Sequence, residues 1–223
     1  RPFDRRTIVY DKRVITRDRY STMKNMLHDN NFGLVVVRKA PPNSECNYFF
    51  ITNSLIINGL IRSDNQSIDM LFPLFLYEDK LGYPNSLFSF SEINKKSNIT
   101  PQYLSLLNTR LGLIFLPETD GDLLKTIGSK DIINFIYAIF YSSNYRTRYA
   151  EFLKIDFPRI PLTSDKKLFA ALVKKGKELV DLHLLKSPKV AEFINSYPVS
   201  GYNTVEKVTF TPSPSSPSHA SWR

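Results

Sequence analysis

The sequence predicts an α+β fold, with a mixed β-sheet in the N-terminal part and a helical C-terminal half, and three observations carry that prediction. β-branched and aromatic runs (RTIVY, GLVVVRK, YFFIT) crowd the first third of the chain. From about residue 102 onward, apolar residues recur instead at helical spacing. No internal repeat and no regular alternation of strand with helix occurs, so strands and helices are segregated rather than wound as βαβ units.

The elements follow in order. RTIVY (6–10) and RVIT (13–16), joined by Asp11-Lys12, predict a hairpin. Ser21 is placed to cap a short helix, STMKNMLHD, with Met23, Met26 and Leu27 on one face, and Asn30-Asn31 ends it. GLVVVRK (33–39) reads as a buried strand from its unbroken valines. The loop APPNSECN (40–47) leads into YFFIT and then LIING, and a polar loop, RSDNQSID (62–69), precedes LFPLFLY at 71–77. Pro73 cannot donate to a ladder, so this last segment belongs at a sheet edge, at a bulge or outside the sheet. Residues 78–101, with Gly82, Pro84, Asn94, Lys95, Lys96, Asn98 and Pro101, predict a long irregular stretch.

Helices follow. Ser129 is expected to cap KDIINFIYAIFYS, whose Ile132, Ile133, Ile136, Ile139 and Phe140 form one apolar face. Ser143 starts a second helix, NYRTRYAEFLKID, with Tyr145, Tyr149, Phe152 and Leu153 together. FPRIPL (157–162) is held extended by its prolines. Ser164 then caps DKKLFAALVKKGKELVDLHLL, where Leu168, Phe169, Leu172, Val173, Leu179, Val180 and His183 recur at i, i+3, i+4, i+7. The Pro/Ser-rich end, TPSPSSPSHASWR, predicts disorder.

Composition bounds the function. The 223 residues allow one sizeable core, and 42% hydrophobic content excludes wholesale disorder. A net charge of +9 favours polyanionic partners, nucleic acid before an anionic membrane surface. The first twenty positions hold six arginines and one lysine against three aspartates. No run approaches a membrane span, and the single cysteine, Cys46, forms no intrachain disulfide, which points to an intracellular home. A first residue of Arg, not Met, reads as a piece of a longer protein.

Catalytic motifs are sparse. There is no G-x-G-x-x-G and no P-loop, and His28, His183 and His219 are too scattered for a zinc site. His183, at the apolar edge of its helix, reads as a packed or capping residue rather than a catalytic one. Ala40-Pro41-Pro42-Asn43 lacks the amide and the aromatic that grip a flipped base, so it reads as a loop. Asp64 or Asp69 followed by Glu78-Asp79-Lys80 fits the D…E-x-K pattern of Mg²⁺ nucleases, a pattern common by chance. A charged loop after a strand is the cheaper explanation.

Electrostatics is more informative. Arg5, Arg6, Lys12, Arg13, Arg17 and Arg19, with Arg38 and Lys39 farther on, are candidate phosphate contacts. Asn43, Ser44, Asn47, Arg62, Asn65 and Gln66, in two polar loops at strand ends, carry the side chains that direct base readout needs. The same loops are equally explained as polar because they are exposed. Arg146, Arg148 and Arg159 are expected in structural ion pairs with Asp156, Glu151 or Asp165.

YRTRYAEFLKIDFPRIPLTSDKKLFAALVKKGKELVDLHLL (145–185) closely resembles the C-terminal region of the single-polypeptide type I, or type ISP, restriction-modification enzymes. RPFD at 1–4, the arginine-rich segment to Tyr20, GLVVVRK, SIDMLFPLFLY at 67–77 and GYNTVEKV at 201–208 are similar to the same family in the same order. The resemblance implies a target recognition domain over 1–208; the family continues past it with a further structured stretch, whereas here the Pro/Ser-rich composition of 209–223 predicts a disordered tail. It implies sequence-specific reading of double-stranded DNA, with no catalysis and no cofactor in this domain. Adenine methylation and ATP-dependent cleavage would belong to other parts of a bacterial, cytoplasmic phage-defence polypeptide. That parent would use S-adenosylmethionine, ATP and Mg²⁺, with its methyltransferase domain as the other partner and no membrane. Two alternatives stand beside this reading: a small Mg²⁺ nuclease using Asp69, Glu78 and Lys80, and a basic module that docks a methyltransferase onto DNA through charge alone.

Overall fold

The structure is a computed structural model that describes residues 5–11, 13–39, 48–61, 68–78, 94–192, 201, 210–212 and 220–222. Its first sheet holds strands β1 (Gly33–Val37), β2 (Phe49–Thr52) and β3 (Asp69–Pro73) in the order β2-β1-β3, all antiparallel. The valine run is the central strand, buried throughout, as its composition requires. Side chains alternate across a strand, so β1 feeds two cores. Leu34 and Val36 join the large core with Phe49 and Ile51, whereas Val35 packs with Met26 and Leu71 beneath Leu55, Ile56 and Leu60. Gly33 lies close against β3: a Cβ there would sit 2.7 Å from Leu71 Cδ1 and 3.0 Å from the Phe72 carbonyl oxygen.

Pro73 closes β3, which is a sheet edge as its missing N–H demands. The chain bends at Leu74, whose N–H donates to the Phe32 carbonyl at 2.8 Å, and resumes as β4 (Phe75–Glu78). β4 pairs antiparallel with β5 (Asn94–Ser97), so part of the stretch expected to be irregular is strand. Two buried asparagines serve the other edge of β4. Asn31 accepts from the Phe75 N–H at 3.1 Å and donates to the Phe75 carbonyl at 2.9 Å, while Asn25 accepts from the Tyr77 N–H at 2.8 Å. The helix stop read at Asn30-Asn31 is thus also a side-chain substitute for a missing strand.

The N-terminal hairpin does not form. Residues 5–19 have no strand among those described. The Asp11 carboxylate accepts from the Arg13 N–H at 2.8 Å, and the Asp11 carbonyl from the N–H groups of Val14 and Ile15 at 3.0 Å, building a turn of its own. Neither β-branched run gains a buried face: Ile8 is 53%, Val9 75% and Val14 69% exposed. Two strands without a hydrophobic face to pack do not hold in water. Ser21 is not a cap either. Helix α1 (Tyr20–Met23) starts after Arg19 in the left-handed region and passes into a 3₁₀ turn, Lys24–Leu27. The Asn25 amide donates back to the Ser21 and Thr22 carbonyls at 3.1 and 3.0 Å, which holds the short form.

The second half is helical as expected. Helix α2 (Pro101–Leu111) has Pro101 in its first turn and ends at Gly112, φ 58°. Strands β6 (Ile114–Leu116) and β7 (Thr126–Gly128) pair in parallel across a short connection. One carboxylate oxygen of Asp122 accepts from the N–H groups of Leu124, Lys125 and Thr126 in that connection. Helix α3 (Ser129–Tyr141) follows. Ser129 is its first residue rather than its cap, and the Asp131 carboxylate accepts from the Gly128 N–H at 2.8 Å and the Gly121 N–H at 2.7 Å.

The predicted second helix is broken at Tyr149 into α4 (Ser143–Arg148) and α5 (Ala150–Leu153). Helix α6 (Lys166–His183) is capped by Asp165, one residue beyond the expected Ser164, through bonds from the Lys167 and Leu168 N–H groups. Its apolar face packs on α3 through Phe135 against Phe169, ring centroids 4.6 Å apart. Gly176 allows the backbones to meet, since a Cβ there would lie 1.8 Å from the Asn134 carbonyl oxygen. Together α3 and α6 cover one face of the first sheet, with Phe140 stacked on Phe49 of β2 at 4.3 Å.

Residues 1–190 form one compact unit and 191–223 a second. In the second, within the stretch where disorder was expected, β8 (Phe210–Pro212) pairs antiparallel with β9 (Ala220–Trp222).

Candidate nucleic-acid interface

A groove of about 1230 Å³ lies in the first unit, and the arginine-rich N-terminal segment forms one side of it. Arg5, Arg6, Arg17 and Arg19 line it, together with Thr7, Ile8, Tyr10 and Thr16. Thr52, Asn53, Ser54 and Asn58, from β2 and the stretch after it, line it as well, as do Asp18 and Asp69. Apolar lining comes from Val35, Phe50, Ile56 and Leu60. Irregular backbone brings the arginines to one groove where a hairpin would have alternated them between two faces. Arg17 and Arg19 both hold positive φ, 58° and 49°, and so break the extended path that RVIT and its neighbours would follow. Tyr10 steadies the segment: its hydroxyl donates to the Asp18 carbonyl, and its ring stacks on Tyr20 at 6.4 Å between centroids. Burial, helped by the Asp18 charge, moves the Tyr10 hydroxyl above its usual range.

The other predicted phosphate contacts sit elsewhere. Arg13 forms an ion pair with Asp11 at 2.7 Å, which holds the carboxyl below its ordinary value, and does not line the groove. Arg38, exposed at the end of β1, pairs with Asp156 at 3.3 Å and lies over the Phe157 ring at 5.9 Å. Lys39 follows it, also exposed, and Lys12 falls outside the described residues. The six readout candidates Asn43, Ser44, Asn47, Arg62, Asn65 and Gln66 all lie outside the described residues. The residues that flank their two loops do not: by register Val36 stands opposite Phe49 and Val37 opposite Asp69, so both loops depart from the same end of the first sheet.

Asn53, Ser54 and Asn58 were not singled out by sequence reasoning. The only signal for them is the turn chemistry of Asn-Ser and Asn-Gly, which says loop and not which way the loop faces. Asn53 Oδ1 accepts from Arg5 Nη2 at 3.3 Å and from the Ser54 hydroxyl at 3.4 Å.

His183 is a packed residue, as expected. Its Nδ1 bonds the Tyr137 hydroxyl, its ring meets Tyr141 edge-on, and burial pulls its pKa below the ordinary value. Tyr141 in turn donates to the Phe49 carbonyl at 2.6 Å, tying α3 to β2, and both Tyr141 and His183 line the groove. The three arginines for which ion pairs were expected make ring contacts. Arg146 lies over Tyr141, Arg148 over Tyr149 and Arg159 over Phe152, at 5.9, 5.9 and 4.9 Å. Of the acids foreseen for them, Glu151 pairs with Lys154 and Asp165 caps α6, whereas the Asp156 carboxyl, bonded by the Phe157 N–H and by Arg38, is held below its ordinary value with help from the Arg159 charge.

The D…E-x-K residues are not assembled among the described ones. Asp69, 8% exposed, accepts from the Ile61 N–H at 3.1 Å, whereas Glu78 is exposed at the end of β4, in the other sheet. Lys80 and Asp64 fall outside the described residues. No group of three His, Cys, Asp or Glu that could hold a metal occurs among those described, and no described helix is long and apolar enough to cross a membrane.

The family model of the type ISP C-terminal specificity domain matches residues 1–218. No curated protein matches the chain. Among solved structures the chain is similar to the ATP-dependent Type ISP restriction-modification enzyme LlaBIII bound to DNA, at 21% identity and a TM-score of 0.39 over 69% of this chain. It is also similar to the DrdV–DNA complex, at 21% identity and a TM-score of 0.47 over 82% of this chain. The chain spans 8% of the first of those proteins and 14% of the second.

Proposed function

The chain belongs to the type ISP C-terminal specificity domain family, and from that premise we propose that it reads the sequence of double-stranded DNA for a restriction-modification polypeptide. The observation that carries the reading is the groove, which four arginines line together with amides and hydroxyls. Guanidinium groups on phosphates fix register and orientation without sequence information, while Asn, Ser and Thr reach base edges and supply it. Arg5, Arg6, Arg17 and Arg19 take the first role. Asn53, Ser54 and Asn58 take the second.

Chemistry belongs to the rest of the polypeptide: adenine methylation with S-adenosylmethionine, and cleavage with ATP and Mg²⁺, in the bacterial cytoplasm. This domain carries no catalytic residue in that scheme and works beside the methyltransferase domain of its own chain. No observation favours the nuclease alternative. A basic docking module is the competing reading, and one experiment separates the two. The natural full-length protein is presented with a randomised duplex library at moderate salt and the retained DNA is sequenced. An asymmetric enriched motif of several base pairs is the expected result; retention without any motif leaves a charged docking surface and overturns the proposal.

A further inference from the structure

Asn53 occupies an unusual electronic position in the groove. A guanidinium only donates hydrogen bonds, so the end of the Asn53 amide that faces Arg5 must be its oxygen. That oxygen takes bonds from both Arg5 Nη2 and the Ser54 hydroxyl, at 3.3 and 3.4 Å. Its Nδ2 has no partner among the described residues, and the side chain lines the groove. An asparagine free at both ends reads adenine bidentately, accepting from N6 and donating to N7. With its acceptor engaged, Asn53 is a donor only.

Resting on the DNA-reading proposal above, we infer that Asn53 is a specificity-determining residue that requires a hydrogen-bond acceptor on the base it meets, and that Arg5 is the positioning residue that sets this preference. In the major groove, guanine offers two adjacent acceptors, O6 and N7, and is the best match. Cytosine offers only its N4 amino donor and is rejected. Arg5 therefore does more than neutralise a phosphate: it fixes the polarity of its neighbour.

The test repeats the library selection with the natural full-length protein and three variants, each first checked for an unchanged thermal unfolding midpoint. Wild type is expected to exclude cytosine at one motif position. Asn53→Ala should relax that position alone, by about tenfold or more, and leave the others intact. Asn53→Asp, an acceptor only, should turn the same position toward the amino-bearing bases cytosine and adenine. Arg5→Met should weaken binding to every sequence and, by freeing Oδ1, move that position toward adenine, a shift that loss of a phosphate contact alone does not produce. Unchanged base preference in both Asn53 variants, or a uniform loss of affinity with no change of motif, overturns the inference while the DNA-reading proposal stands. A wild-type protein that selects no motif overturns both.

Discussion

Asn31 shows how much one side chain carries here. Its amide bonds both the N–H and the carbonyl of Phe75, and also reaches the Phe32 N–H at 3.0 Å and the Asn25 carbonyl at 2.8 Å. All of this is buried, so removing the amide strands backbone groups that water cannot reach. Asn31→Ala is expected to cost about 3 kcal/mol, the scale of leaving buried partners unpaired, read as a lower midpoint in urea at unchanged slope. His183 makes a different prediction, in pH. Burial holds its folded pKa below the ordinary histidine value of 6.5, so in weak acid the unfolded chain binds the extra proton. Stability from this site is complete above 6.5 and is lost as pH falls from there through the lower folded value. His183→Gln should flatten the acid limb of the unfolding midpoint below pH 6.5; an acid limb identical to wild type would remove His183 as its source.

At the scale of elements, legibility follows the range of the interaction that builds each one. Helices α3 and α6 were readable because a 3.6-residue period is written locally, and the same locality misplaced their caps by one residue. Asp165 displaces Ser164, and Asp131 works three residues inside α3. β1 was readable from its valines alone. The N-terminal hairpin was not, because whether RTIVY finds a face to pack is decided by distant residues, and Asp11 offers a local turn instead. Asn31 was read only as a helix stop, since its partner is 44 residues away. Gly176 was likewise silent in sequence, where an alanine would improve helix propensity by about 1 kcal/mol. In the fold, its Cβ would meet the Asn134 carbonyl at 1.8 Å, backbone against backbone, with no flexible side chain to yield. Overpacking of about 3 kcal/mol therefore outweighs the propensity gain. Gly176→Ala should lower Tm by roughly 4–8 °C; a rise in Tm would mean that the two helices separate at no cost.

Across the whole molecule, the net charge of +9 predicted a polyanionic partner but not which cations would meet it. Residues 1–20 read as a single basic block, and the fold divides them. Arg17 and Arg19 line the groove, whereas Arg13 is turned to Asp11 at 2.7 Å and lies off it. A paired guanidinium already neutralised by a carboxylate releases few counterions from DNA, so equal formal charges should contribute unequally to the salt dependence of binding. Each phosphate contact contributes about 0.9 to the slope of log affinity against log salt. Arg17→Gln and Arg19→Gln, made singly, should each flatten that slope by about 1 and weaken binding evenly across sequences. Arg13→Gln should change it by less than about a third of that. Glutamine keeps a long polar side chain at both positive-φ positions, so the comparison reads charge rather than backbone strain. Three equal decrements would mean that the N-terminal segment acts as an undivided cationic arm and that the groove does not select among its arginines; a loss confined to Arg17 and Arg19 would place the duplex on the groove side of the molecule.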